Sequence, residues 1–276
     1  RAMSATDQAS AGPGDKPAML AMKAVRGASW MLLSRFIGRA IDFVTLLVLA
    51  RVLVPADFGL VALAMILISI LDIVLEIPVT QALTRLHDID RSHIDTGFTL
   101  GVLRGLVIII VVAAACWPFA RLYNDDALVP LLLILALGPL ARGLYSPAMV
   151  HFIRQMSFRQ AFLAEFCGKI GAVALALGIA LLGGGYWAIA ANFIGASVIT
   201  TLASHVIAPY RPRLSLERFD DFSSFVGWFS AAQMVAALNW QFDRLLLGRF
   251  VDRMTLGRFT MASDLAVMPT QTIIGP

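Results

Sequence analysis

The sequence predicts an all-α polytopic membrane protein, on three observations. Only 14% of its 276 residues are charged and 59% are hydrophobic, against roughly 25% charged in soluble globular chains. Apolar runs of about 20 residues, the length a helix needs to cross a bilayer, recur along the chain with almost no polar face, so lipid is their solvent. Arginines and lysines gather in alternate connections without forming a long basic block, a pattern of membrane topology rather than of nucleic-acid binding.

In chain order, residues 1–27 read as a cytosolic tail and interfacial segment. The first 18, rich in Ala, Ser, Gly and Pro, bury too little to offset the entropy of ordering and are expected to be flexible. Lys23 and Arg26 beside Met19, Leu20, Met22 and Val25 suit a short stretch at the membrane surface. Seven full spans are predicted at 28–50, 58–77, 96–119, 128–150, 162–182, 186–208 and 222–247, with an eighth from near Leu256. Turns follow from Pro55 between spans 1 and 2, from Asn124, Asp125 and Asp126 between spans 3 and 4, and from Gly183, Gly184 and Gly185 between spans 5 and 6. Trp30, Trp117, Tyr123, Tyr186, Trp187 and Tyr210 fall near span ends, where amphipathic rings favour the headgroup layer.

With the N-terminus inside, cytosolic segments hold ten basic residues, Lys16, Lys23, Arg26, Arg85, Arg91, Arg154, Arg159, Arg211, Arg213 and Arg218, against two, Arg51 and Arg121, in the outer loops before span 7. That bias sets the expected orientation, although Arg249 and Arg253 run against it. A shift of 198 residues aligns Trp30 with Trp228, Arg51 with Arg249 and Gly59 with Gly257, and matches spans 1 and 2 to spans 7 and 8. Six-span units in one orientation are parallel repeats, related by an axis along the membrane normal. The expected organisation is therefore a six-span N-terminal bundle at 28–208, a cytosolic linker at 209–221, and the first one to two spans of a second bundle at 222–276. On this reading the chain is a fragment of a 12- or 14-span transporter.

Ionisable groups inside spans cost at least about 2.5 kcal/mol each at mid-membrane, so they face a cavity or a partner. In span 1, Arg35, Arg39 and Asp42 share one helical stripe. Span 2 carries Asp72 and Glu76, four apart; span 3 has Arg104, span 4 Arg142, span 5 Glu165 and Lys169, and span 7 Asp243 beside Arg244. Two readings stay open. Arg39 with Asp42, Glu165 with Lys169, and Asp72 or Glu76 with Arg104 are neutralising pairs that fix packing; or the arginines line a hydrophilic cavity for an anion, since guanidinium matches phosphate oxygens in a bidentate fork. Gly138-Pro139, Ser146-Pro147 and Pro78 interrupt helical hydrogen bonding and make either hinges or helix ends. Cys116 and Cys167 lie in apolar runs and read as buried thiols; the four histidines have no metal-ligand spacing, and no nucleophile or phosphate-loop motif occurs. No cofactor, metal or enzymatic activity is expected.

The segment Ala-Arg-x-Leu-x-Pro-x-Asp-Phe-Gly at 50–59 resembles the polysaccharide transport family of the multidrug/oligosaccharidyl-lipid/polysaccharide flippase superfamily. Similar to that family too are Gln-Ala-Leu-Thr-Arg at 81–85, Phe-x-Arg-Gln-x-x-Phe-Arg at 152–159, Gly-Gly-Gly-Tyr-Trp-Ala at 183–188, and Asn-x-x-x-Asp-x-x-x-x-Gly-Arg at 239–249. The resemblance covers residues 27–276. It implies a bacterial inner-membrane flippase for polyprenyl-diphosphate-linked oligosaccharide, as in O-antigen or exopolysaccharide export, with two bundles around a cavity of alternating access. Its expected partners are the lipid-linked oligosaccharide, membrane lipids, and the polymerase and chain-length machinery of such pathways, with no nucleic acid. In that role Arg35, Arg39, Arg104 and Arg142 would neutralise the diphosphate, Asp42, Asp72, Glu76 and Glu165 are the ion-coupling candidates, and Arg51, Pro55, Gly59, Asp243 and Arg249 are structural motif positions. A drug/cation antiporter or peptidoglycan-precursor flippase of the same superfamily is the alternative; intramembrane arginine argues against antiport. A membrane glycan polymerase or ligase, from another class, needs a large outer loop, and the predicted outer loops are short.

Overall fold

A computed structural model describes residues 15–85, 89–219, 247 and 250–273. Its helices are α1 (Asp15–Val52), α2 (Pro55–Val74), α3 (Val79–Arg85), α4 (Arg91–Tyr123), α5 (Leu128–Leu135), α6 (Leu137–Gly143), α7 (Val150–Arg154), α8 (Arg159–Leu181), α9 (Trp187–Ile207) and α10 (Arg253–Ile273), with no strand among the described residues. Four stretches are long and apolar enough to cross a membrane, Pro55–Thr84, Arg91–Tyr123, Arg159–Leu181 and Trp187–Ile207, and a fifth is the bent pair Leu128–Gly143 with Pro147–Arg154. The chain is thus an all-α polytopic membrane protein. Span 7 at 222–247, with Asp243, and the motif residue Arg249 lie outside the described residues apart from Leu247.

Helix α1 is interrupted by Arg35, Arg39 and Asp42 and so is less apolar than these spans, yet its surface is arranged as in a membrane helix. Leu32, Leu33, Phe36, Phe43, Val44 and Leu47 point outward. Arg35, Arg39 and Asp42 are half-buried and Thr45 is buried. Apolar outside and polar inside is the inverse of a water-soluble helix and suits a lipid-facing wall around a wet interior. The helix also starts earlier than the sequence suggests, at Asp15 rather than near residue 28; Pro17 fits a first turn, where its missing N–H removes no helical bond. Pro55 likewise begins α2 as an N1 proline, three residues before the expected start of span 2.

Span 4 is broken. Its two parts bend by 48° at the Ser146-Pro147 interruption, and neighbouring polar groups take up the backbone groups the break releases. The Ser146 N–H donates to Ser204 Oγ at 3.0 Å, Ser146 Oγ donates to the Ala208 carbonyl at 2.9 Å, and Thr201 Oγ1 donates to the Ala141 carbonyl at 2.7 Å. These bonds also tie α6 to α9.

The main core forms where α2, α4 and α5 meet, around Leu63, Ile66, Ile108, Val112, Leu128 and Leu132. Helix α8 packs on α9 through a stripe of small residues at every fourth position, Ala164, Gly168, Ala172, Ala176 and Ala180, all buried. In a bilayer such a stripe replaces hydrophobic driving force with close van der Waals approach. At the bundle's other crossing, α10 meets α2 so closely that a Cβ on Gly59 would strike the Arg253 carbonyl, and one on Gly257 the Pro55 carbonyl. Residues after α9 run along the start of α4. The Tyr210 hydroxyl donates to Asp95, the Ser215 N–H to Thr99 Oγ1 at 2.9 Å, and the Arg218 N–H to Thr96 Oγ1 at 3.4 Å. Burial and the bond to Asp95 hold the Tyr210 hydroxyl above its ordinary pKa.

Candidate functional site

The first ionic cluster is built by glycines. On α4, Gly101 and Gly105 flank Arg104; on α6, Gly143 follows Arg142. A Cβ on Gly101 would strike the Gly143 carbonyl, one on Gly143 the Gly101 carbonyl, and one on Gly105 the backbone of Leu140. Backbones this close bring both guanidinium groups to one place, and the end of α2 supplies their counter-ion. Arg104 donates 2.5 Å to Asp72 Oδ1, 2.5 Å to the Asp72 carbonyl and 2.8 Å to the Leu75 carbonyl. Arg142 donates 2.5 Å to Asp72 Oδ2. One carboxylate thus holds two arginines from two other helices.

Their environments differ. The Arg104 side chain is 14% exposed and the Arg142 side chain 38%. Arg142 also stands over the Phe193 ring, 5.2 Å from its centroid, a cation–π geometry. The cluster lines a cavity of about 370 Å³ together with Glu76, Gln81 and Tyr145, within the size range of ligand sites.

The second cluster joins α1 to α8. Lys169 Nζ lies 2.6 Å from both carboxylate oxygens of Asp42 and 3.3 Å from the Gly38 carbonyl. Trp30 packs on Phe162 with ring centroids 5.6 Å apart, fixing the same helix pair nearer its other end. Glu165, expected to pair with Lys169 on the same helix, sits exposed one turn before it and interacts electrostatically with both Lys169 and Tyr145. The Lys169 ammonium itself crosses to α1, where Gly38 leaves room for its stem.

Helical rise puts these groups at graded depths. At 1.5 Å per residue, Asp72 is about 26 Å along α2 from Pro55, and Arg104 about 28 Å from the Tyr123 end of α4. On α1, Arg35, Arg39 and Asp42 lie about 26, 20 and 15 Å from Val52. Counted from those ends, the Asp72 cluster and Arg35 lie about 26 to 28 Å along their helices and Asp42 about 15 Å.

Of the positions singled out from sequence, Asp72, Arg104, Arg142 and Glu76 come together at the cavity, and Asp42 meets Lys169. Arg35 and Arg39 stand on the α1 stripe outside the first cluster, and Arg51 is exposed at the end of α1. Pro55 and Gly59 lie at the α2–α10 crossing. Tyr145, Phe193 and the glycines that close α4 on α6 were not anticipated. A small-residue signal, Gly101, Gly105 and Gly143 beside intramembrane arginines, was available for the last.

A second cavity, of about 590 Å³, opens beside the start of α4 between Arg91, His151, His205, Tyr210 and Arg211. Arg91 is loosely paired there with Asp95, Nε to carboxylate 3.9 Å.

Comparison with known proteins follows the same lines. The family described as "Polysaccharide biosynthesis protein" matches residues 48–276. The succinoglycan biosynthesis transport protein ExoT of Rhizobium meliloti is 26% identical over 262 residues, covering 94% of this chain and 53% of that protein. The lipopolysaccharide biosynthesis protein WzxC of Escherichia coli is 24% identical over 257 residues, covering 90% and 51%. The teichuronic acid biosynthesis protein TuaB of Bacillus subtilis is 23% identical over 217 residues, covering 73% and 42%. The chain spans about half the length of the first two of these relatives. No solved structure matches it.

Proposed function

Because this chain belongs to the polysaccharide biosynthesis protein family, we propose that it is the first bundle, with the opening of the second, of a flippase that moves a lipid-linked oligosaccharide across the bacterial inner membrane. Names given to the relatives, transport of succinoglycan and biosynthesis of lipopolysaccharide and teichuronic acid, support a glycan substrate. The observation that carries the reading is the carboxylate of Asp72 shared by Arg104 and Arg142 on a cavity.

Two guanidiniums on a cavity suit a polyprenyl diphosphate, whose charged group stays at headgroup level while its tail stays in lipid. With the N-terminus cytoplasmic, the cavity opens toward the leaflet where such a substrate is assembled. Phosphate oxygens compete with Asp72 for the two guanidiniums, in bidentate geometry that a single carboxylate cannot offer to both. Arg35, Arg39 and the Asp42–Lys169 pair then continue the polar path. The protein forms no covalent bond in this scheme. It exchanges counter-ions, and alternating access does the rest.

The test is Arg142→Ala in the native host. Surface polysaccharide is lost while the protein accumulates in the membrane at its usual level. Normal surface polysaccharide would overturn the role of the cluster.

A further inference from the structure

The second cavity, of about 590 Å³, lies where three span ends meet. Arg91 opens the span Arg91–Tyr123, His205 stands in the last turn of Trp187–Ile207, and His151 lies in the short arm of the bent span, Pro147–Arg154. Two sets of bonds hold these ends together. Ser146, bonded to Ser204 and to the Ala208 carbonyl, fixes the broken span against the end of α9 and so brings His151 beside His205. Tyr210 fixes the chain after α9 against α4, its hydroxyl donating to Asp95 and its ring 5.6 Å from that of Phe98, and so brings Arg211 to the same cavity as Arg91.

The cations there are accessible. The Arg91 side chain is 58% exposed and meets Asp95 only at 3.9 Å, beyond hydrogen-bond reach, while the other oxygen of Asp95 is taken by Tyr210. Arg211 and His151 are exposed, and the His205 ring is held as a wall by Nδ1, which donates to the Thr201 carbonyl at 3.0 Å. Between these polar groups the lining is apolar, from Ile94, Ala148 and Pro209. An exposed apolar strip of Val198, Leu202 and Val206 runs along α9 to the same end, and His205 flanks it, three residues on from Leu202. A free phosphate ion gains nothing from apolar walls. A phosphate esterified to glycerol and acyl chains sets its charge on the arginines and its chains on the strip.

We propose that this cavity is a site for the headgroup of an anionic phospholipid, with the phosphate between Arg91 and Arg211 and the acyl chains laid on the strip of Val198, Leu202 and Val206. It is separate from the Asp72 cavity: the two lie on either side of the span 4 break, with Tyr145 and Pro147 lining the one and Ala148 and His151 the other. With the N-terminus cytoplasmic, the site faces the inner leaflet, where anionic lipids attract arginines at span ends. An occupied site ties Arg211, on the chain that follows α9, to the start of α4.

The experiment is native mass spectrometry of the full-length protein in detergent, with phosphatidylglycerol as probe against phosphatidylcholine of the same acyl chains, whose own cation cancels the lipid's charge. Phosphatidylglycerol binds at least about tenfold more tightly, the scale of two arginines at a membrane surface. Arg91→Gln and Arg211→Gln each weaken the preference and together abolish it. His151→Trp, which fills the opening and removes no arginine, weakens it too. Arg159→Gln, which takes an exposed arginine from the start of α8 outside the cavity, leaves it unchanged, and circular dichroism at the parent level shows each variant folded. A preference that survives the double substitution, or that falls as far in Arg159→Gln, overturns the site. Inorganic phosphate in millimolar excess leaves the lipid bound; displacement by it overturns the lipid as occupant and assigns the cavity to a soluble anion. Binding is read without export, so the translocation reading stands or falls separately.

Discussion

Arg104 and Arg142 share a carboxylate and divide two tasks between them. Arg104 makes three hydrogen bonds and is largely buried; Arg142 makes one ion pair and is more than a third exposed. Arg104→Ala therefore leaves one Asp72 oxygen and two carbonyls without their donor and destabilises the folded protein by about 3 kcal/mol, whereas Arg142→Ala costs about 1 kcal/mol or less. Thermal unfolding of the purified protein in detergent separates them: Arg104→Ala lowers the midpoint markedly, Arg142→Ala barely moves it, and both abolish export. At the second cluster, Asp42→Asn and Lys169→Met each leave a lone charge among packed helices. The double variant is more stable than either single one, which a double-mutant cycle in the same unfolding assay reads directly. Sequence reasoning reached the residues better than the partners. Asp72 with Arg104 was among the expected pairs, because lipid leaves few other choices. Helical spacing offered Glu165 as one partner for Lys169, but spacing carries no information about a neighbouring helix, and so missed Asp42.

At the scale of elements, the break in span 4 is held by side chains rather than left open. The Ser146 hydroxyl holds the Ala208 carbonyl while its backbone N–H donates to Ser204, so Ser146→Ala loses the hydroxyl bond alone, destabilises by about 1 kcal/mol and increases proteolysis near residue 146. Replacing Gly101 or Gly143 by Leu drives α4 from α6, separates the two arginines, and removes export even where the protein still folds; retained export in a stably inserted Gly143→Leu variant would contradict the way the cluster is built. Ser146-Pro147 and the glycines were plain in the sequence, and their consequences were not. A proline marks where helical bonding stops, but the 48° bend depends on which neighbours accept the released groups. The early start of α1 was missed for the converse reason: a composition poor in apolar residues is still compatible with helix once a long hydrophobic span follows and propagates it.

For the molecule as a whole, hydropathy made the class legible because a bilayer admits few backbone solutions. Gly59 and Gly257 stood out in the sequence as aligned residues, and the close crossing of α2 with α10 became visible only in the structure. Orientation follows from charge: a cysteine in place of Asn124 is expected to react with impermeant reagent from outside the cell and one in place of Arg213 only from inside, in whole cells compared with inverted vesicles. The central claim is that two arginines bind the diphosphate of a lipid carrier in exchange for Asp72. Its most direct test is binding of a polyprenyl diphosphate, against the matching polyprenol, to the full-length protein in lipid nanodiscs. The diphosphate should bind at least about tenfold more tightly, with the preference lost in Arg104→Gln/Arg142→Gln. Equal affinity for diphosphate and alcohol, or a preference that survives the double substitution, would contradict it.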